Sequence, residues 1–409
     1  MTDTFDSLYR KSTSGSKFKK LMAIITANSN IQLAYRTIKR NLGSTTKGAD
    51  GLTIKDIEKL SYDRFLKILR NRFDNYSPRK VRRTEIPKPN GDKRPLGIPS
   101  IWDRIVQQCI LQVLEPISEG KFYKHSYGFR PQRSAENAAA TCMYRMNQSH
   151  MNYVVDIDIQ GFFDNVNHTK LMRQIWTLGI QEKKLLVILR KMLKAPIIYP
   201  DGAVKVPTKG TPQGGILSPL LANINLNEFD WWIAKQWEER ICKELKPNYN
   251  QLGHLSSSPI YRKLRSSTTL KELYIVRYCD DFKIFCKTKK DAHNIFHEVK
   301  KWLEIRLKLP LSEEKSKITD LRKNASEFLG FTLRLVDKGS KTVCHSNVSS
   351  KALKKIKWKL KQQLRRIKQA SNRQYTIGRI QKYNSMVIGI HQYYRIATHV
   401  NLDFASINY

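Results

Sequence analysis

The chain predicts an α+β fold of two or three domains, and three observations carry that expectation. Apolar residues at helical spacing dominate, as over 101–117, 168–194 and 291–308. Short strand-like runs joined by turn chemistry interrupt them, as around Asn90-Gly91 and Asp201-Gly202. The length of 409 residues exceeds one ordinary domain, while a hydrophobic fraction of 40% suffices for a packed core.

Taken in order, residues 1–29 are polar and basic, with Ser-Thr-Ser-Gly-Ser at 12–16, and read as a mobile N-terminal arm. Asn28-Ser29-Asn30 is a capping cluster, so a helix is expected after it, with Ile31, Ala34, Tyr35 and Ile38 on one face. Gly48 to Gly51 breaks the chain, and 54–73 is helical again. Val81 to Pro99 reads as an extended hairpin turning at Pro89-Asn90-Gly91-Asp92. Tyr153 to Ile159 alternates like a strand, 197–206 forms a short hairpin, and two more strands flank Cys279-Asp280. Residues 231–273 stand apart: Trp231, Trp232 and Trp237 lie in a helical stretch, a stretch rich in Gly, Ser, Pro, Lys and Arg follows, and the whole reads as an insertion within the catalytic domain. In 350–369, Leu353, Ile356, Leu360, Leu364 and Ile367 fall at helical spacing with only Lys and Arg as charged neighbours.

Charge narrows the partners. Seventy-four basic against 35 acidic residues leave +39, an excess that repels itself unless a polyanion neutralises it. A generic basic protein of ribosomal or chromatin type shares that signal. The six cysteines, at 109, 142, 242, 279, 286 and 344, form no C-x-x-C pair, so neither a zinc site nor a disulfide framework is expected. No apolar run reaches membrane-spanning length, and the N-terminus, with Asp3 and Asp6, has no signal-peptide character. A soluble, intracellular protein in a reducing compartment is expected.

Three constellations carry chemistry. In Tyr153-Val154-Val155-Asp156-Ile157-Asp158-Ile159, alternation puts Asp156 and Asp158 on one strand face and Val155, Ile157 and Ile159 toward the core. Two like charges there call for a cation or a base, although a solvated polar face gives the same pattern. In Arg277-Tyr278-Cys279-Asp280-Asp281-Phe282, adjacent aspartates sit at a hairpin tip between apolar strands, where they either hold a metal or form a surface turn. Mg²⁺ favours carboxylate oxygen, and two such ions about 4 Å apart can activate a 3′-hydroxyl and stabilise a leaving pyrophosphate. In Gly210-Thr211-Pro212-Gln213-Gly214-Gly215, paired glycines allow close backbone approach, and Gln213 offers a donor and an acceptor; an ordinary turn before a helix fits as well.

In this order and spacing, the three resemble the palm motifs of reverse transcriptases: Asp158 with Phe162-Phe163, then Thr211-Pro212-Gln213-Gly214-Gly215, then Tyr278-Cys279-Asp280-Asp281. The finer wording is similar to the group II intron-encoded reverse transcriptase and maturase family. It includes Glu85-Ile86-Pro87-Lys88-Pro89, Arg94-Pro95-Leu96-Gly97-Ile98-Pro99, Ser126-Tyr127-Gly128-Phe129-Arg130-Pro131, Phe162 to His168, and Leu217 to Asn223. The segment from Asn30 to Gly51 resembles that family's N-terminal extension, and the likeness covers roughly 30–400. Cys279 stands where many members carry Ala, a change between small residues.

The resemblance implies a right-hand polymerase of fingers, palm and helical thumb. Its domains are the N-terminal extension and fingers over 30–152, the palm over 153–342, and the thumb or maturase X domain over 343–409, expected to be incomplete. It implies two Mg²⁺ ions, with Mn²⁺ as a substitute, held by Asp158, Asp280, Asp281 and the Ile159 carbonyl, Asp281 lying furthest from the ions. Phe163 becomes the gate against a 2′-hydroxyl, Gln213 the support of incoming nucleotide and template, and Lys88 and Arg94 the grip on the triphosphate. Lys315, or Lys317 in its place, becomes the acid that protonates pyrophosphate, and Arg130 an organiser of the fingers; a structural ion pair is the other reading of Arg130. Tyr383, Tyr393 and Tyr394 read as core rather than stacking platforms.

Implied partners are group II intron RNA, an RNA template with its DNA primer, deoxynucleoside triphosphates and target DNA, with no membrane. Implied roles are assistance to splicing and copying during retrohoming. The location implied is bacterial cytoplasm, in association with the nucleoid, rather than an organelle. Two other readings are a maturase that only binds RNA and a domesticated enzyme of retron or phage-defence type. Intact Asp158, Asp280 and Asp281 speak against the first, and the 30–51 segment against the second.

Overall fold

A computed structural model describes residues 1–87, 91, 93–147, 151–212, 214–240, 249, 253 and 258–407, with Arg94 described only in its backbone. Among these residues the strands are, in chain order, β1 Val81–Pro87, β2 Lys93–Ile98, β3 Tyr153–Ile157, β4 Ile197–Ile198, β5 Val204–Lys205, β6 Leu273–Tyr278, β7 Asp281–Cys286, β8 Lys317–Asp320, β9 Ser326–Phe328, β10 Phe331–Lys338 and β11 Lys341–Val348. The chain divides into two compact units. One comprises Met1–Lys124, Ile159–Trp231 and Lys300–Leu311; the other comprises His125–Asp158, Trp232–Val299 and Ser312–Tyr409.

The first unit is built around the helix Ile101–Glu119. Its residues Ile101, Ile105, Val106, Cys109, Ile110, Val113, Leu114 and Ile117 are wholly buried, and Asp103, Arg104, Gln107, Gln108 and Gln112 are buried with them, so the helix is enclosed on nearly every side. Ser100 caps it, and the buried Asp103 accepts from the Tyr76 hydroxyl, the Arg79 backbone N–H and the Ser100 hydroxyl. Residues 1–29 are not a mobile arm. Thr2–Thr13 is a helix against the central one, with Leu8 buried and the Ser12 hydroxyl donating to the Ile117 carbonyl at 2.6 Å.

The capping cluster also shifts by one turn. The next long helix is Asn28–Arg40, and Asn30 lies inside it, buried, donating to the Ile25 and Cys109 carbonyls. Ile31, Ala34 and Ile38 face inward as expected. The stretch 54–73 splits into Ile54–Glu58 and Tyr62–Asp74, the former opened by a capping box of Thr53 and Asp56. A four-stranded sheet of order β2-β1-β4-β5 completes this unit with the helices His168–Thr177 and Lys183–Leu193. The expected hairpins at 81–99 and 197–206 are present in it, while the tip residues Pro89, Asn90 and Asp92 lie outside the described residues.

The second unit holds a sheet of order β6-β7-β3-β8, antiparallel at each pairing. Val154 and Val155 are both buried, as are β7 residues 282–286 in succession, so this sheet is covered on both faces. A second sheet, β11-β10-β9, leads into the helices Ser350–Lys368, Arg373–Tyr394 and Val400–Ala405. The palm and thumb boundary placed at 343 falls inside β11, which pairs with β10 along its whole length, so the helical part begins at Ser350. The insertion does not begin at 231 either. Helix Ser218–Ala234 runs through Trp231 and Trp232, and Trp237 is 1% exposed, its indole N–H donating to the Tyr274 hydroxyl. Much of 241–257 lies outside the described residues, and Ser258–Ser267 is a helix.

Of the apolar positions in Ser350–Lys368, Ile356 and Leu360 are buried, whereas Leu364 is exposed. Tyr394 is buried against Phe331, and Tyr393 stacks on the same ring and donates its hydroxyl to the Leu329 carbonyl. Tyr383 is half-buried and lines a groove of the helical region.

Candidate active site

Sheet register gathers the acidic residues. Ile157 pairs with Phe282 across β3 and β7, and Tyr278 pairs with Asp281 across β6 and β7. Carrying the first ladder one residue on puts Asp158 opposite Asp281, so Asp158, Asp280 and Asp281 share one end of the sheet. The turn joining β6 and β7 is Cys279-Asp280, with φ of 59° at Cys279. A two-residue turn that opens on a positive φ favours glycine, and a side chain there carries backbone strain of about 1 kcal/mol.

The tip is braced from beneath. Arg277 is 1% exposed and donates to the Cys279 carbonyl at 2.6 Å. Its backbone is bracketed by the segment 125–127: the Arg277 N–H donates to the His125 carbonyl, and the Tyr127 N–H donates to the Arg277 carbonyl. Gly128 follows directly, and a Cβ there would fall 2.3 Å from the Cys279 nitrogen, so only glycine fits against the tip. Arg130 is buried and donates to the Ser126 carbonyl at 2.7 Å, bracing this same loop.

Asp156 and Asp158, alike in the sequence, have different surroundings. Asp156 forms an ion pair with Lys283, its register partner on β7, and both bond Ser326: the lysine donates to the Ser326 hydroxyl at 2.6 Å, and that hydroxyl donates to Asp156 at 2.9 Å. Lys283 is 1% exposed and lies 5.2 Å from the centre of the Phe328 ring. This lysine is the base that two like charges on one face called for, and it spends itself on Asp156. Asp158 remains half open, held through its backbone: the Ser312 N–H donates to its carbonyl at 2.9 Å, and its own N–H donates to the Ser316 hydroxyl at 3.1 Å. The turn 312–316 thereby brings the Lys315 ammonium 3.8 Å from the Asp158 carboxylate. Lys317 is exposed at the start of β8, opposite Asp156 in register.

Asp281 reaches solvent over a packed base. Desolvation there, and the like charges of Asp156, Asp280 and Asp158 set against one favourable charge at Lys283, raise its carboxyl to about 6. Desolvation and the adjacent aspartates push the Cys279 thiol up to about 12, so it offers no thiolate. Among the described residues, no three His, Cys, Asp or Glu side chains converge closely enough to hold an ion unaided. The donor chemistry still fits a hard divalent cation: the groups at this end of the sheet are carboxylates, and such a charge would relieve their mutual repulsion, which adds to desolvation in lifting Asp281.

Other expected residues fall in the first unit. Phe163 is half-buried, its ring edge-on to the buried Phe162 with centroids 5.4 Å apart, and its carbonyl accepts from the Thr211 N–H at 2.7 Å. His168 Nε2 donates to the Gly210 carbonyl at 2.7 Å, tying the Phe162–Asn165 helix and its flank to the glycine-rich loop. A Cβ at Gly214 would meet the Gly97 carbonyl at 2.6 Å, so this loop lies against β2. Ile159 is buried and bridges Leu311. Lys88, Gln213 and the Arg94 side chain lie outside the described residues.

Sequence reasoning missed Lys283 and Ser326, and it gave no role to Arg277, Ser316 or His168 although they fall within or beside its motifs. A lysine and an arginine inside unbroken apolar strands were the available signal for Lys283 and Arg277.

Comparison with known proteins agrees with this geometry. The family described as reverse transcriptase (RNA-dependent DNA polymerase) matches residues 86–333. The chain belongs to the reverse transcriptase family, in its group II intron-encoded and maturase branch. It is 33% identical to protein YkfC of Escherichia coli over 332 residues, covering 80% of this chain and 85% of that one. It is 35% identical to the group II intron-encoded protein LtrA of Lactococcus lactis over 343 residues, 75% of this chain and 55% of that one. A putative COX1/OXI3 intron 2 protein of Saccharomyces cerevisiae is 29% identical over 79% of this chain and 39% of its own. The chain thus spans most of the first and about half or less of the other two. No helix among the described residues is long and apolar enough to cross a membrane.

Proposed function

We propose that this RNA-directed DNA polymerase extends a primer annealed to intron RNA by Mg²⁺-dependent transfer at the end of the β6-β7-β3-β8 sheet, and that the same chain binds the intron RNA as a maturase. The observation that carries the reading is the gathering of Asp158, Asp280 and Asp281 at one sheet end.

Asp158 and Asp280 hold the cations, with Asp281 and the Ile159 carbonyl completing the set. Two bound Mg²⁺ ions, or Mn²⁺, would neutralise charge on the attacking 3′-oxygen and the departing pyrophosphate. Lys315, beside Asp158, donates the proton that pyrophosphate gains as it leaves. Phe163 fills the space a 2′-hydroxyl needs, Gln213 supports nucleotide and template, and Lys88 and Arg94 grip the triphosphate. Arg130 acts through the loop it braces against Arg277 rather than by touching template. The basic helices beyond Ser350 lie on template and primer and take intron RNA through its phosphates, with target DNA as the substrate of retrohoming. Relatives named as intron-encoded proteins and as a nuclear intron maturase support the RNA partner. Charge and family together favour a bacterial, nucleoid-associated setting.

The test is extension of a DNA primer on an RNA template. Asp280→Asn should give no extension above the chelator-treated background while retaining RNA affinity within about twofold, since one carboxylate contributes little to phosphate binding. Normal extension by the folded variant would overturn the metal assignment.

A further inference from the structure

The first unit carries a surface cavity of about 850 Å³ that the polymerase reading does not use. Its walls come from the helices His168–Thr177 and Lys183–Leu193 and from residues 206–208. Both helices already spend their inward faces on the core: Leu171 and Ile175 from one, Leu185, Ile188, Leu189 and Met192 from the other, are buried. Trp176, Val187 and Val206 stand on the outward side, 43%, 53% and 59% exposed. An indole left this open on a helix is an unfilled stacking platform.

The charge around it is of one sign. The charged residues of the lining are Arg173, Arg190 and Lys194, all exposed, together with His168, and no carboxylate joins them. Several neighbouring cations are engaged instead with groups outside the cavity: Lys170 with Glu228, Lys184 with Asp74, Lys191 with the Tyr76 carbonyl and Lys209 with Asn165. The two acids of this stretch are engaged too, Glu182 accepting from the Met22 N–H and Asp201 from the Ala203 N–H. Arg173, Arg190 and Lys194 make no side-chain hydrogen bond or ion pair among the described residues. Lys194 is close enough to His168 to add to the desolvation that lowers the imidazole pKa, so His168 is neutral at physiological pH and the cavity's charge is that of the three cations.

We propose that this cavity seats a single-stranded polynucleotide, one base stacked on Trp176 and the flanking phosphates on Arg173, Arg190 and Lys194. Three unpaired cations beside an open aromatic are the two elements that single-strand recognition combines. A second copy of this chain would bring the same cations against themselves, which argues against self-association through this face. The inference rests on the nucleic-acid partner proposed above and adds to it a seat outside the metal-binding carboxylates.

Binding of labelled oligo(U), oligo(dT) and a blunt RNA–DNA duplex by the full chain tests it. Trp176→Ala should weaken single-strand binding about tenfold, and Trp176→Phe should restore most of it. Replacing Arg173, Arg190 and Lys194 together by Gln should lower the slope of log affinity against log salt by about two, with the blunt duplex unaffected. Loss on oligo(U) alone identifies RNA as the strand, and equal loss on oligo(dT) identifies a seat indifferent to the sugar. No loss on either strand, equal loss on the duplex, or a change of sedimenting mass in place of affinity would each overturn the proposal. Extension by the wild-type chain is scored apart: if it binds through Trp176 but does not extend, the polymerase reading falls and this one stands.

Discussion

The sheet β6-β7-β3-β8 and the helix Ser350–Lys368 belong to one unit and handle charge in opposite ways. The sheet buries almost everything, and its few ionic groups are individually placed: Lys283 on Asp156, Arg277 on the Cys279 carbonyl, and three aspartates at one end. The helix exposes nearly all its cations and buries Ile356, Leu360 and Gln363. Chemistry at a metal needs atoms fixed to a fraction of an ångström, and a sheet packed on both faces supplies that. Binding a polyanion needs a field, which many interchangeable cations on one exposed face supply. Single substitutions should therefore be decisive in the sheet and mild on the helix.

The strongest way to break the contrast is at Lys283. Lys283→Ala leaves Asp156 close to Ser326 without its counter-charge, a loss of about 3–5 kcal/mol by the usual cost of breaking a buried pair. Chemical denaturation should show that loss; a midpoint shifted by less than a tenth of it would mean that water, not lysine, satisfies Asp156. On the helix, reversing Lys354, Lys357 and Lys361 to Glu should weaken template–primer binding by about tenfold or more at moderate salt and flatten its salt dependence. Extension at saturating template should survive. Unaltered affinity and slope would make this helix a merely solvated face. The smallest expected change lies outside both regions, in the first unit: Phe163→Ala should shift kcat/KM toward ribonucleotides without abolishing deoxynucleotide transfer. An unchanged ratio in a folded variant would place the sugar gate elsewhere.

This contrast also explains what the sequence disclosed. The palm strands, the hairpin tip and the basic helix were legible because each combines local spacing with unusual chemistry, as in Tyr278-Cys279-Asp280-Asp281 and the acid-free stretch from 350 to 369. Asp156 and Asp158 were not separable, because period-two alternation gives them one face; only pairing to β7 delivers Lys283 to one of them. The Thr2–Thr13 helix was hidden because its polar surface conceals a contact made through Leu8 and Ser12. Trp231, Trp232 and Trp237 were read as helical yet counted with the insertion, because the unusual composition that follows them set the boundary; the helix Ser218–Ala234 carries the first two as a continuation of the preceding segment.

Asp156 and Asp158, two residues apart on one strand face, are held in different surroundings and should do different work. Extension rate and melting temperature, measured together on Asp158→Asn and Asp156→Asn, test it most directly. Asp158→Asn should melt within a few degrees of the wild-type chain yet give no extension. Asp156→Asn should melt several degrees lower, its Lys283 uncompensated, yet extend at a near wild-type rate per folded molecule. Full extension by a folded Asp158→Asn, or loss of extension in a fully stable Asp156→Asn, would contradict it.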